Sequence, residues 1–213
     1  MYCSRVSNSA ATSLSHAHMQ TGYWIFNTPL LTAYMPLIYF RAMISLVRLT
    51  HNDASLLSEM GGVSLIESHG HSAPAKVMQE YVDKSFSTEA CAAELSNEAN
   101  IFFAVYYNGQ PAGYSKIVFN CSHPDVPMQP VTKLERLYLL KEFYGLHLGN
   151  HLLQQAVDLS KANGEKGIWL NVWKKNERAI RFYEKQGFKT VGESQFVLTA
   201  THANPNWVML LVY

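Results

Sequence analysis

The pattern of apolar and polar positions predicts a β-hairpin in this chain, because an apolar run is followed directly by a turn signal. Residues 101–107 form an apolar run rich in β-branched and aromatic side chains, as is typical of a strand. The dipeptide Asn108-Gly109 follows at once, and it is the strongest short signal for a two-residue hairpin turn. Residues 113–120 are the expected partner strand.

Apolar positions that recur every three to four residues predict helices elsewhere. The clearest case is a helix over 149–163, whose apolar stripe consists of Leu148, Leu152, Leu153, Ala156 and Leu159. The other predicted helices cover residues 52–60, 75–86, 88–95 and 176–186, and Gly61-Gly62 is expected to end the first of these. The remaining predicted strands cover residues 44–49, 133–140, 167–173, 188–198 and 207–213. This order of elements predicts a mixed α/β (α+β) domain.

The first 42 residues differ in composition from the rest of the chain. They contain no Asp, Glu or Lys, and their apolar run over 23–40 is interrupted by two prolines, which argues against a membrane-spanning helix. We interpret residues 1–42 as an N-terminal extension, with Met43 as the natural start, and residues 43–213 as the folded domain. A targeting or anchoring segment is the alternative.

Charge and cysteine content narrow the class of protein. A formal net charge of +1 argues against a nucleic-acid-binding protein that uses a broad basic surface. Cys3, Cys91 and Cys121 are widely spaced, so neither a disulfide framework nor a cysteine-rich metal site is expected. We therefore predict a cytoplasmic protein that binds neither nucleic acid nor a membrane.

Two stretches of the domain combine a strand, a turn and a helix in ways that suit ligand binding. In the first, Gly145 and Gly149 lie between a predicted strand and a predicted helix. The N–H groups at a helix N-terminus attract anions, and glycine lets a phosphate approach the backbone closely. In the second, Asn176 is a good N-cap for a helix that carries Tyr183 on its apolar face. From these residues alone, Tyr183 is either a packed core aromatic or a proton donor.

Together the two stretches resemble the GCN5-related N-acetyltransferase (GNAT) superfamily, and the residues of their motifs are most similar to those of the bacterial PaiA-type polyamine acetyltransferases. The first is similar to the family's acetyl-CoA motif, Q/R-x-x-G-x-G/A, with Gly149 at its last position. It departs from the motif at Tyr144, where Gln or Arg is usual, and at His147, where Gly is usual. The second, NxxAIxFYxxxGF over residues 176–188, resembles the family's downstream signature. The resemblance implies a mostly antiparallel sheet, flanked by helices, with a splayed central parallel strand pair.

The resemblance also implies acetyl-CoA as cosubstrate, no metal, and a set of site residues. Those implied to bind the cosubstrate are Leu137, Tyr138, Leu139, Tyr144, Gly145, Leu146, His147, Leu148, Gly149, Asn150, Asn176 and Tyr183. The strand segment 137–139 would pair with pantetheine, and the N–H groups of residues 145–150 would hold the pyrophosphate. Tyr183 would protonate the departing thiolate, and Glu135 would accept the proton of the amine. The alternative for Glu135 is an ordinary solvent-facing carboxylate.

The implied activity is transfer of an acetyl group to a primary amine by direct attack, with a small polyamine favoured as acceptor. The alternatives are acetylation of a protein N-terminus or lysine, and a catalytically silent CoA-binding regulatory module. Five acidic side chains suit a cationic acceptor or a solvated helix face: Glu80, Asp83, Glu89, Glu94 and Glu98. A homodimer is compatible with the resemblance.

Two pairs of histidines are further candidates for functional residues. His147 and His151 have the four-residue spacing of a metal-binding pair on a helix, but the sequence offers no evident third ligand. His69 and His71 flank Gly70, and we expect both of them to be solvated in a loop. We therefore predict no metal site.

Overall fold

The computed structural model describes residues 42–199 and 202–213, which form one seven-stranded sheet with helices on both faces. The strands are β1 (Ile44–Arg48), β2 (Asn100–Tyr107), β3 (Gln110–Val118), β4 (Thr132–Leu139), β5 (Gly167–Trp173), β6 (Lys189–Thr199) and β7 (His202–Val212). The helices are α1 (Ala54–His69), α2 (Ala75–Ser85), α3 (Thr88–Ser96), α4 (Leu148–Ala162) and α5 (Glu177–Lys185). The predicted extension over 1–42 lies, except for its last residue, outside the described residues, so its boundary stays a prediction.

The strand order is β1-β2-β3-β4-β5-β7-β6, and the only parallel pair within the described residues is β4 with β5. Helix α4 makes the crossover that a parallel pair requires. The predicted hairpin between β2 and β3 is confirmed, with Asn108 and Gly109 at φ values of 51° and 81°. The sheet is thus mostly antiparallel and flanked by helices, which confirms the predicted fold class.

Apolar clusters on both faces of the sheet hold the helices in place. On one face, Leu57 and Met60 of α1, Met78 of α2 and Cys91 of α3 pack with Phe102. On the opposite face, α4 and α5 contribute residues such as Leu153 and Tyr183, which pack with the strands. None of the helices described here is both long and apolar enough to cross a membrane.

Helix α1 continues past Gly61-Gly62, so the prediction that these glycines end it was wrong. Both glycines are buried, and they allow a close approach between α1 and its neighbours. A Cβ at Gly61 would overlap the ring of Phe86, and one at Gly62 would lie 3.2 Å from Cγ1 of Val82. The pair therefore allows close packing, and the helix ends seven residues after Gly62, at His69.

Strand β7 begins at His202, five residues before the predicted start at residue 207. The prediction placed the start too late because Pro205 reads as a strand breaker. In the structure the last β5 residue that pairs with β7 is Trp173, opposite Asn206, so Pro205 lies just beyond the end of that ladder. The β6–β7 hairpin therefore projects beyond β5 toward α2.

Candidate active site

Strands β4 and β5 separate after two residues of pairing, which opens a cleft in the centre of the sheet. Their ladder comprises Thr132 with Ile168 and Lys133 with Trp169 only. On its other side β4 pairs with β3 almost throughout, but the register shifts at Glu135, which has no counterpart on β3. Such a β-bulge bends a strand. The rest of β4 therefore offers backbone groups with no strand partner on the side of β5.

Two adjoining cavities occupy this cleft. The first, which we call the sheet cavity, has a volume of about 290 Å³ and lies between β4 and β5, with α1, α2 and the β6–β7 hairpin at its other walls. The second, the turn cavity, has a volume of about 240 Å³ and lies between α5 and the turn that precedes α4. Leu137, Leu139 and Tyr183 line both cavities, so the two meet along the free half of β4.

The turn before α4 presents a row of backbone donors to the turn cavity. Gly145 and His147 have φ values of 83° and 59°, a left-handed conformation that favours glycine and that histidine adopts less often. The N–H groups of residues 145–149 find no hydrogen-bond acceptor among the described residues, whereas that of Asn150 donates to the carbonyl of His147 at 3.0 Å. Five unpaired N–H groups at the N-terminus of a 15-residue helix are an arrangement that suits a bound anion.

A cation from α5 reaches this turn, although sequence reasoning missed it. The guanidinium of Arg178 stacks on the ring of Tyr144, with 3.5 Å between its central carbon and the ring centroid. Both residues line both cavities. Tyr144 stands where the family motif usually has Gln or Arg, so Arg178 supplies from another helix a positive charge that the motif position lacks. In the sequence, this role is indicated only by the basic character of Arg178, two residues after Asn176.

Helix α5 brings Tyr183 to the junction of the two cavities. Asn176 caps this helix, and its side-chain oxygen accepts a hydrogen bond from the N–H of Ala179 at 3.1 Å. Tyr183 packs edge-on against Phe182 and Phe188, with centroid separations of 5.1 and 5.4 Å. Burial raises the pKa of its phenol well above the ordinary value, so the hydroxyl stays protonated at neutral pH.

Glu135 lines the sheet cavity but belongs to a network of ion pairs. Lys116 donates to its Oε1 at 2.8 Å and Lys133 donates to its Oε2 at 3.3 Å. Arg136 is held by Glu94 through two hydrogen bonds of 2.6 and 3.0 Å. Burial alone would raise the pKa of Glu135, but the hydrogen bond from Lys116 and the surrounding cations lower it. The carboxylate is therefore ionised at neutral pH and is a weak base.

His69 lies in the wall of the sheet cavity, so the prediction that it is solvated was wrong. Its ring contacts those of Tyr138 and Trp173, with centroid separations of 5.8 and 6.0 Å, and its Nδ1 lies 2.7 Å from Oγ of Ser68. Burial, with a smaller contribution from His71, lowers the pKa of His69 to about 4. It is therefore neutral at physiological pH. His71 is exposed, as expected.

Most of the predicted cosubstrate residues line the cavities. The turn cavity contains Leu137, Leu139, Tyr144, Gly145, His147, Gly149, Asn150 and Tyr183. Tyr138 and Asn176 line the sheet cavity instead. The side chains of Leu146 and Leu148 line neither cavity, since Leu146 is exposed and Leu148 is buried in the core under α4.

No group of three or more His, Cys, Asp and Glu side chains is arranged to hold a metal ion in the parts of the chain that the structure describes. His147 has left-handed backbone geometry before α4, and His151 lies within that helix. Neither residue is therefore part of a larger ligand set there.

Comparison with known proteins bears on the same region. The sequence model of the acetyltransferase (GNAT) family matches residues 64–188. An uncharacterized N-acetyltransferase of Lactobacillus delbrueckii subsp. lactis is 23% identical over 155 residues, which cover 73% of this chain and 90% of that protein. A probable spermine N(1)-acetyltransferase of Bacillus subtilis subsp. natto is 26% identical over 123 residues, which cover 56% of this chain and 80% of that protein.

A solved structure has the same fold. The PaiA N-acetyltransferase of Thermoplasma acidophilum, crystallised with coenzyme A, superposes with a TM-score of 0.65 at 21% identity, over 80% of this chain and 99% of that one. The family match spans more than half of the chain and includes α4 and α5, which contain the two motifs. The chain therefore belongs to the acetyltransferase (GNAT) family.

Proposed function

We propose that this protein transfers the acetyl group of acetyl-CoA to a primary amine by direct attack. The observation that carries the proposal is the position of Tyr183, which lines both the turn cavity and the sheet cavity. Acetyl-CoA would place its pyrophosphate on the N–H groups of residues 145–149 and its pantetheine along residues 137–139 of β4. Its thioester would then lie beside the Tyr183 hydroxyl, with the amine in the sheet cavity.

The residues support each proton movement that the reaction requires. The neutral amine nitrogen attacks the thioester carbonyl, a C–N bond forms, and the C–S bond breaks. The raised pKa keeps the phenol of Tyr183 protonated at neutral pH, so it has a proton to donate to the sulfur as the C–S bond breaks, and the tyrosinate then regains a proton from water, which takes up the proton that the amine releases. The amine releases its extra proton to water or to Glu135.

Glu135 stays in the proposal as the proton acceptor that the sequence suggested. It lines the sheet cavity and is ionised, as a base must be. Its lowered pKa limits how strongly it can attract a proton from an amine. The cavity itself assists deprotonation of the amine, because burial near Lys133 and Arg136 favours the uncharged form of an amine over its ammonium form.

Polyamines are the acceptor class that the motifs suggest, and one relative is named for spermine. Acetylation of a protein N-terminus or lysine would use the same chemistry. A catalytically silent CoA-binding module would use the turn cavity alone.

The test is a thiol-release assay with acetyl-CoA and a panel of amines that includes small monoamines, polyamines and peptides. We expect acetyl-CoA-dependent release with at least one amine, together with a rise in melting temperature when CoA is added. A rise in melting temperature with CoA, but no thiol released from acetyl-CoA with any amine, would favour the silent module. If CoA produces no thermal shift, the assignment of the turn cavity is wrong.

Replacing Arg178 with alanine is expected to raise KM for acetyl-CoA roughly three- to tenfold, because a cation beside the phosphate site is lost. The matched control is Arg181→Ala on the same helix, where Arg181 is exposed and forms an ion pair with Glu177 at 2.9 Å. Steady-state kinetics with acetyl-CoA as the varied substrate provide the measurement. Equal effects of the two substitutions would exclude a specific role for Arg178.

A further inference from the structure

We propose that the sheet cavity takes a primary monoamine with an apolar, preferably aromatic, body, and that it discriminates against polyamines. This inference rests on the proposed acetyl transfer and names the acceptor class for the same site. Three features of the described cavity wall carry it: the balance of its charges, the position of the acidic residues of α2 and α3, and the rings that surround the cavity.

The cavity wall carries more positive than negative charge. Glu135 is the one carboxylate among the described residues that line it, and both of its oxygens are already paired with lysines. Lys133 and Arg136 also line the cavity, as does Arg178, whose charge the pyrophosphate of the cosubstrate would balance. Glu94 balances Arg136, but no carboxylate faces the cavity without a cation beside it. A polyamine with several ammonium groups would therefore meet net repulsion.

The acidic side chains that the sequence offered for a polyamine lie elsewhere. Glu80, Asp83, Glu89 and Glu98 do not line the sheet cavity. Glu80 is largely exposed beside Lys76, and Asp83 accepts a hydrogen bond from Gln79 at 2.8 Å. The fifth residue, Glu94, is held by Arg136 and Lys116. These residues therefore form a solvated face and an internal ion-pair network, not an acceptor site.

The wall of the cavity is rich in aromatic rings contributed by several helices and strands. Tyr81 of α2 meets Phe196 of β6 edge-on, with 5.6 Å between ring centroids. Tyr138 of β4 and Trp173 of β5 both contact the ring of the neutral His69. Such rings bury an apolar or aromatic body well, and their faces attract a single ammonium.

The hairpin that carries Phe196 is fastened over the cavity. Nε2 of His202 lies 2.9 Å from the carbonyl oxygen of Ser72, and Asn204 donates to the Ser72 hydroxyl at 3.0 Å. The aromatic wall is therefore tied to the loop between α1 and α2. A compact monoamine fits an enclosure of about 290 Å³ of this kind.

The first test compares acceptors with the full chain and acetyl-CoA. We expect kcat/KM for 2-phenylethylamine to exceed that for spermidine by at least about tenfold, the effect of one unfavourable charge interaction. Better use of spermidine, or of a peptide amine, would overturn the inference and leave the proposed acetyl transfer standing. If no thiol is released from acetyl-CoA with any amine, the proposed function fails instead. Calorimetric titration of both amines in the presence of CoA then decides whether the cavity has the inferred preference.

The second test adds a carboxylate at the cavity wall. Phe196→Glu is expected to shift the ratio of kcat/KM values about tenfold toward spermidine, because it supplies the missing negative charge. Phe196 is 38% exposed, so a charged side chain is tolerated there. Val197→Glu is the matched control, because Val197 is 62% exposed and lies outside the cavity wall. An unchanged ratio in Phe196→Glu, or equal shifts in the two variants, would contradict the inference.

Discussion

Tyr183→Phe is expected to lower kcat about 100-fold, the usual contribution of a positioned general acid, with little change in KM for acetyl-CoA. The substitution removes only the hydroxyl that would protonate the departing thiolate. It retains the ring, which packs against Phe182 and Phe188, so the fold and the two cavities remain. Thiol release at saturating acetyl-CoA measures the effect, and unchanged melting temperature verifies that the variant is folded.

Tyr138→Phe is the matched control, because Tyr138 is a second buried phenol in the sheet cavity and burial raises its pKa to about 12. A loss of activity in Tyr138→Phe alone would transfer the role of general acid to that residue. Turnover that persists in Tyr183→Phe with every amine would exclude Tyr183 as the general acid.

The same assay tests Glu135, since a pH profile of kcat/KM that keeps its shape in Glu135→Gln would exclude this carboxylate as the base.

Gly113→Ala is expected to destabilise the protein by about 2–4 kcal/mol, as overpacking of a buried site does. Gly113 pairs with Leu139 across β3 and β4. A Cβ at this position would overlap the backbone carbonyl of Tyr138 and lie 2.9 Å from Cα of Leu139. Because both contacts involve backbone atoms, no side chain can move away to relieve them. The strand that must yield is the one assigned to pantetheine.

Thermal unfolding measures this prediction, and a loss of about 2–4 kcal/mol corresponds to a melting temperature lower by roughly 5–15 °C. Gly149→Ala is the control, because a Cβ there would meet the ring of Phe182 at ordinary contact distances of 3.6 and 3.7 Å. Its melting temperature is expected to stay close to that of the unchanged protein. A melting temperature for Gly113→Ala equal to that of the control would contradict the steric argument.

Elements with a local signal were predictable from the sequence. The turn at Asn108-Gly109, the cap at Asn176 and the apolar stripe of α4 depend on residues within a few positions of one another, so the sequence contains the whole of each signal. The same locality explains why the turn before α4 was recognisable, despite His147 in a position that favours glycine.

The sequence by itself determined the order of elements, the family and the row of donors before α4, because each depends on short-range patterns. Only the tertiary structure decided what surrounds Glu135, where His69 lies, and that Arg178 reaches Tyr144. These depend on contacts between distant residues, such as Glu94 with Arg136, which are 42 positions apart. Long-range packing also explains Gly61-Gly62, which lie inside α1 in close contact with its neighbours and do not end the helix. The charge at the wall of the sheet cavity is therefore a property of the folded protein, since residues from separate strands and helices create it together.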